Sequence, residues 1–215
     1  VHAILKRFYQ KVYVEQEDTN PERLLMQIVD VEMKKAYPDY NPAELWLIKE
    51  IVFFRIRSFY EKEKAELKTK PNILGLEEEF SATFQIGSKE VLLKGKLDRV
   101  DERDGRVFIV DYKTGELKHI SKRGIGTLSN LPVERSQIKE YVKSFQLPIY
   151  MYLYSKNTDR DLADITAYLV SVRDYEKKLL CGRSDKVVLS ACMEMLKSLL
   201  GELFNPEVPF ETDIE

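Results

Sequence analysis

Apolar residues recur at helical spacing over the first dozen positions, where Ile4, Leu5, Phe8, Tyr9 and Val12 fall on one face and predict a helix from Val1 to about Val12. Asn20-Pro21 and Asn41-Pro42 each read as an N-cap followed by a proline at the first helical position, where its missing N–H is not needed. They predict helices over about 21–36 and 42–67. The second is expected to be largely buried, because Ile51, Val52, Phe53, Phe54, Ile56 and Phe59 crowd one stretch of it. The pattern then becomes that of strands, near 75–87, 91–101 and 106–113. Val107-Phe108-Ile109-Val110 is a continuous apolar run, as in a strand covered on both faces. Ser144 is placed to cap a helix over 145–154 with Pro148 in its first turn. A strand over 165–172 and a closing helix over 186–204 complete the chain. This order predicts an α/β fold, a mixed β-sheet flanked by helices.

Asp104-Gly105 is a strong signal for a two-residue hairpin turn, since glycine accepts positive φ and aspartate tolerates it. With that turn Arg103 pairs with Arg106, and counting back sets Asp98 opposite Asp111; a wider loop over 102–105 would shift the register by two. Opposed residues have Cβ atoms roughly 5 Å apart, and like charges so placed destabilise a sheet by up to about 1 kcal/mol. A cation between them reverses that sign. Lys113 lies two residues beyond Asp111, so strand alternation turns it to the same face. Two carboxylates beside a lysine suit a hard, oxygen-seeking cation such as Mg²⁺ or Mn²⁺. Such an ion activates water and neutralises charge on a phosphoryl oxygen, while Lys113 orients the nucleophile: the logic of metal-assisted phosphodiester hydrolysis. Asp101 and Asp104, by contrast, read as surface residues framing the turn.

The residues Gly95-x-x-Asp98-Arg99-Val100-Asp101 followed by Val110-Asp111-Tyr112-Lys113-Thr114-Gly115 resemble the core motifs of the PD-(D/E)xK nuclease superfamily, most closely its RecB-like branch. Val1-His2-Ala3-Ile4-Leu5 resembles that branch's histidine-bearing helix, and Gln146-Leu147-Pro148-Ile149-Tyr150 its Q-x-x-x-Y helix. The resemblance implies a restriction-endonuclease-like core, with Asp98, Asp111 and Lys113 as catalytic residues. It implies His2, Asp98, Asp111 and the backbone carbonyl of Tyr112 as ligands of Mg²⁺ or Mn²⁺. Gln146 and Tyr150 would support the site and the nucleic acid. Arg99 either pairs with an acid or touches DNA, and one of Glu77, Glu78 and Glu79 supplies a further acid. The activity implied is that of a divalent-metal-dependent DNase, an exonuclease domain for single strands delivered by a helicase or recombination machine. The alternative from another class is a catalytically silent nucleic-acid-binding or scaffold domain of such a complex, and a CRISPR-adaptation type nuclease is a third.

Composition changes this picture little. A chain of 215 residues with 44% hydrophobic content holds one substantial core, and no Ser/Gly/Pro-rich linker divides it, so a single domain over 1–215 is expected. It starts with Val inside an expected helix, which fits a domain excised from a longer polypeptide. The net charge of −2 does not announce a nucleic-acid binder. Locally, Lys118, Lys122, Arg123, Arg135, Lys139 and Lys143 outnumber Glu116, Glu134 and Glu140, a segment that either contacts phosphates or is a solvated loop. Cys181 and Cys192 form no C-x-x-C pair and suggest neither a zinc site nor a disulfide framework, so a reduced, cytoplasmic setting is expected. Some RecB-like nucleases carry an iron–sulfur cluster on cysteines before the histidine helix and after the last strand. This chain begins one residue before His2 and stops just after Pro209-Phe210-Glu211-Thr212, so no cluster is expected within it. No secretory signal and no bilayer-length apolar run is present, so no membrane association is expected.

Overall fold

A computed structural model describes residues 1–16, 20–67, 69–122, 125 and 135–208. Arg123 and Glu134 of the basic segment, and 209–212, lie outside the described residues. The elements follow in the order α1 (His2–Tyr9), α2 (Pro21–Ala36), α3 (Pro42–Glu66), β1 (Asn72–Ile86), β2 (Lys89–Arg103) and β3 (Arg106–Lys113). After these come α4 (Arg135–Tyr141), α5 (Gln146–Asn157), β4 (Ile165–Ser171), β5 (Lys177–Cys181) and α6 (Lys186–Leu203). The strands form one mixed five-stranded sheet in the order β1-β2-β3-β4-β5. No helix among the described residues is long and apolar enough to cross a membrane.

Local chemistry sets most of these boundaries. Asn20 Oδ1 accepts the backbone N–H groups of Glu22 and Arg23, and Asn41 Oδ1 that of Ala43, so both Asn-Pro pairs start their helices as capping predicts. The first helix ends at Tyr9, and a π-helical turn over Gln10–Val14 follows, closed by Glu15 N–H on the Gln10 carbonyl at 2.9 Å. Helix α5 begins at Gln146, whose N–H is accepted by Ser144 Oγ at 3.2 Å. The expectation that α3 is largely buried is corrected. Leu45, Ile56, Phe59 and Tyr60 are buried, but Leu47 and Ile51 are exposed and Phe54 is 69% exposed. The apolar run wraps around the helix, whereas the core takes a single stripe of it.

Two compact units are assembled from interleaved segments. The first comprises 1–79, 96–117 and 166–179. Its core packs α1, α2 and α3 through Phe8, Leu25, Ile28, Ile56 and Phe59 against Leu76 of β1, Val110 and Tyr112 of β3, and Tyr168 and Val170 of β4. The second comprises 80–95, 118–165 and 180–215. There Phe84 and Ile86 of β1 pack with Leu196 of α6, and Ile149 and Tyr152 of α5 join them. Tyr152 also donates to the Thr83 carbonyl at 2.7 Å. Gly95 belongs to this unit: a Cβ there would lie 2.8 Å from Leu153 Cδ1 and 3.0 Å from Tyr150 Cε1, so only glycine lets α5 come this close to β2.

Candidate active site

The hairpin forms as its turn predicts. Asp104 and Gly105 take φ of 49° and 75°, and the ladder runs from Arg103 opposite Arg106 to Arg99 opposite Val110. The next pair in that register is Asp98 and Asp111. At this point the Asp98 carboxylate takes over from the ladder, and its Oδ2 accepts the Tyr112 N–H at 2.8 Å. The start of α1 meets the same place: His2 Nε2 lies 2.9 Å from the Tyr112 carbonyl and 3.2 Å from Asp98 Oδ2. Three donor atoms from three elements therefore converge. Lys113 lies beside them, its Nζ 2.6 Å from Asp111 Oδ2.

Two titratable groups on this face are shifted toward keeping a proton. Burial holds the Asp111 carboxyl above the usual carboxylate range, and Asp98 adds to that while Lys113 opposes it. The hydrogen bond to Asp98 raises the His2 imidazole above its ordinary value against the effect of burial, and Glu77 contributes from further away. A proton on His2 Nε2 thus sits between a carbonyl and a carboxylate oxygen, where a metal ion would find its ligands. Donor atoms at right angles on an ion with bonds near 2.1 Å lie about 3 Å apart. The 2.9 Å and 3.2 Å separations at His2 fit that requirement. Among the described residues no three His, Cys, Asp or Glu side chains close on one point; the third donor here is a backbone carbonyl, and Asp111 is turned to Lys113.

Of the three glutamates left open by the sequence, Glu77 is the one whose charge contributes to the raised pKa of His2. Its Oε2 holds Lys96 Nζ at 2.5 Å, and it acts on His2. Its φ of 57° is a left-handed conformation inside a strand, strained for a residue other than glycine. Glu78 instead folds over Gly75, where a Cβ would lie 2.7 Å from its carboxylate.

Arg99 and Asp101 lie on the other side of β2. Both are fully buried, which corrects the reading of Asp101 as a surface residue framing the turn. Arg99 donates to Glu63 through Nη1 at 3.2 Å and Nη2 at 2.7 Å, and its Nε lies 2.9 Å from Asp101 Oδ2. Arg103 closes the set with two bonds to Asp101, at 2.6 Å and 2.9 Å, and one to the Tyr168 hydroxyl at 3.0 Å. The guanidinium of Arg99 is thus spent on acids and has no surface to offer a phosphate. Glu63 was not foreseen. Its signal was its place at the end of the buried stripe Ile56, Phe59, Tyr60 on α3, where a carboxylate needs a partner.

Gln146 and Tyr150 belong to the second unit, where Gln146 Nε2 donates to the Tyr150 hydroxyl at 2.8 Å across one turn of α5. In the basic segment Lys122 pairs with Asp185 at 2.5 Å and Arg135 with Glu202 at 2.6 Å, so these two cations are already engaged by acids.

No curated protein matches the chain. Among solved structures, one titled "Crystal structure of SSO0001" is similar at 16% identity with a TM-score of 0.33, covering 95% of this chain and 73% of that one. The model of the PD-(D/E)XK nuclease superfamily matches residues 1–213, across all the motif residues described above. The chain belongs to the PD-(D/E)XK nuclease superfamily, whose members are phosphodiester-hydrolysing, metal-dependent nucleases.

Proposed function

We propose that this chain is a divalent-metal-dependent DNase of the RecB-like branch, an exonuclease domain spanning 1–215 that works on single strands in cytoplasmic recombination or repair, alongside a helicase. The observation that carries the reading is the convergence of His2 Nε2, Asp98 Oδ2 and the Tyr112 carbonyl within 3.2 Å of the histidine nitrogen. Together with Asp111 these donors would hold Mg²⁺ or Mn²⁺. When bound, the ion supplies charge neutralisation and a lowered pKa for water. Asp98 also accepts the Tyr112 N–H, so it fixes the peptide whose carbonyl is a donor. Lys113 is held near the acids by Asp111 and orients the attacking water while balancing charge on the phosphoryl oxygen. Arg99 supports the site from beneath, and the Gln146 to Tyr150 face of α5 supports the nucleic acid.

The test is cleavage of end-labelled single-stranded DNA, duplex DNA and RNA with Mg²⁺ or Mn²⁺, against EDTA, by the wild type and Lys113→Ala. Metal-dependent trimming of single-stranded DNA, lost in a folded Lys113→Ala protein, is the expected result. Absence of cleavage in a folded wild type that still binds DNA favours the silent, binding-only reading.

A further inference from the structure

The charges buried under the hairpin involve every element that brings a donor to the site. Arg99 is on β2, one residue after Asp98, and is fully buried. Its guanidinium lies 4.3 Å from the ring centroid of Tyr9, on the helix that begins with His2, and 5.6 Å from that of Tyr112, whose carbonyl is the third donor. The two rings also stack on each other, 6.2 Å between centroids. Glu63 of α3 accepts from both terminal nitrogens of Arg99, Nη1 and Nη2, and in addition from the Tyr9 hydroxyl. Asp101 takes the remaining edge of Arg99 and is itself gripped by Arg103. One planar cation is therefore stacked on α1 and β3, bonded to α3, and anchored in β2.

We propose that Arg99, with Glu63 and Tyr9, is the positioning device of the metal centre: it sets the separation of His2, Asp98 and the Tyr112 carbonyl, and thereby the affinity for the ion. Its physical basis is the shape of the group. A guanidinium presents donors in a rigid plane and stacks on aromatic faces, so it can define the relative placement of several elements; a lysine ammonium supplies the same charge without the plane. Donors to a small divalent ion tolerate little displacement, since Mg²⁺ and Mn²⁺ sites demand near-octahedral geometry, and partners behind the ligands commonly change metal affinity by about 10–100-fold.

The inference rests on the metal-site reading above, and the experiment separates the two. Mn²⁺ binding to the metal-free protein is measured by electron paramagnetic resonance of the free ion, for the wild type, Arg99→Lys, Tyr9→Phe and Leu196→Ala. Leu196 packs in the core of the second unit and serves as a control for lost stability alone. Expected is one Mn²⁺ site in the wild type, a dissociation constant raised about 10–100-fold in Arg99→Lys, a smaller rise in Tyr9→Phe, and wild-type affinity in Leu196→Ala. Far-ultraviolet circular dichroism of each protein establishes that it is folded. Should Arg99→Lys fail to fold, Tyr9→Phe, which keeps the ring and loses only the bond to Glu63, decides by the same criterion. Wild-type affinity in the folded Arg99 or Tyr9 variants, or an equal loss in Leu196→Ala, overturns the positioning role. Failure of the wild type itself to bind Mn²⁺ overturns the metal-site reading instead.

Discussion

The two sides of the β2–β3 hairpin carry similar numbers of charges and treat them in opposite ways. On the buried side two arginines, Arg99 and Arg103, meet two acids, Glu63 and Asp101, at 2.6 to 2.9 Å. Burial works against the charged form of Glu63, but Arg99 outweighs it, so its carboxyl stays below the usual range. On the other side the balance is left open. Asp111 is pushed up by burial despite Lys113, and His2 is pushed up by Asp98. A closed set of charges holds a structure; the open set leaves both His2 and Asp111 shifted toward keeping a proton. The same two strands carry both sets because alternation sends successive residues to opposite sides.

The strongest way to break this contrast is to open the closed set. Glu63→Ala leaves Arg99 buried without its main partner, and urea unfolding should show a loss of about 3–5 kcal/mol. A loss under about 1 kcal/mol would mean that water or another acid replaces Glu63. Next in size is the open side, where Lys113→Ala should lower the cleavage rate by about 10²–10³-fold, yet leave the melting temperature of the metal-free protein near that of the wild type. A parallel fall in melting temperature would make Lys113 a structural residue.

The pH dependence sharpens the same comparison. The His2 pKa is raised in the fold, so its protonated form stabilises the metal-free protein fully below about 6.5, and that contribution is lost as pH rises through the folded value. The ion competes for the same nitrogen. Mn²⁺ affinity should therefore climb with pH by up to about tenfold per unit below the folded His2 pKa and level off above it, and His2→Ala should remove the climb. The smallest effect concerns Asp111. With its pKa raised in the fold, its charged form costs stability at every pH above the ordinary aspartate value. Asp111→Asn should then melt higher than the wild type in EDTA at neutral pH, by about 2–4 °C for each kcal/mol regained, while failing to gain from added metal. A lower melting temperature in EDTA would show that the Lys113 pair outweighs burial.

How much of this was legible in the sequence follows from the range of the interactions. Asp104-Gly105 specifies its own turn, so the register from Arg103 opposite Arg106 to Arg99 opposite Val110 came out directly. The Asn-Pro caps are equally local, and α2 and α3 begin where they predict. Glu63 and Asp101 were missed or misread because their partners are brought by the fold: Glu63 and Arg99 are 36 positions apart in sequence. The tail of α3, Glu61-Lys62-Glu63-Lys64, looks like a solvated face, and only its phase against Ile56 and Phe59 singles out Glu63. The five-residue strand β5 was overlooked as well. It opens on two lysines, one of which lies over the rings of Tyr168 and Tyr175 at 5.2 Å and 4.3 Å, a pattern that alternation does not announce.

The most direct test of the metal-nuclease account is a single Mn²⁺ titration followed by two signals on the same preparation, ion bound and labelled single-stranded DNA cleaved. The account predicts one tight site per chain, cleavage rising in proportion to its occupancy, and loss of both signals in a folded Asp98→Asn protein. Cleavage that persists in EDTA, or Mn²⁺ binding unchanged by Asp98→Asn, would contradict it.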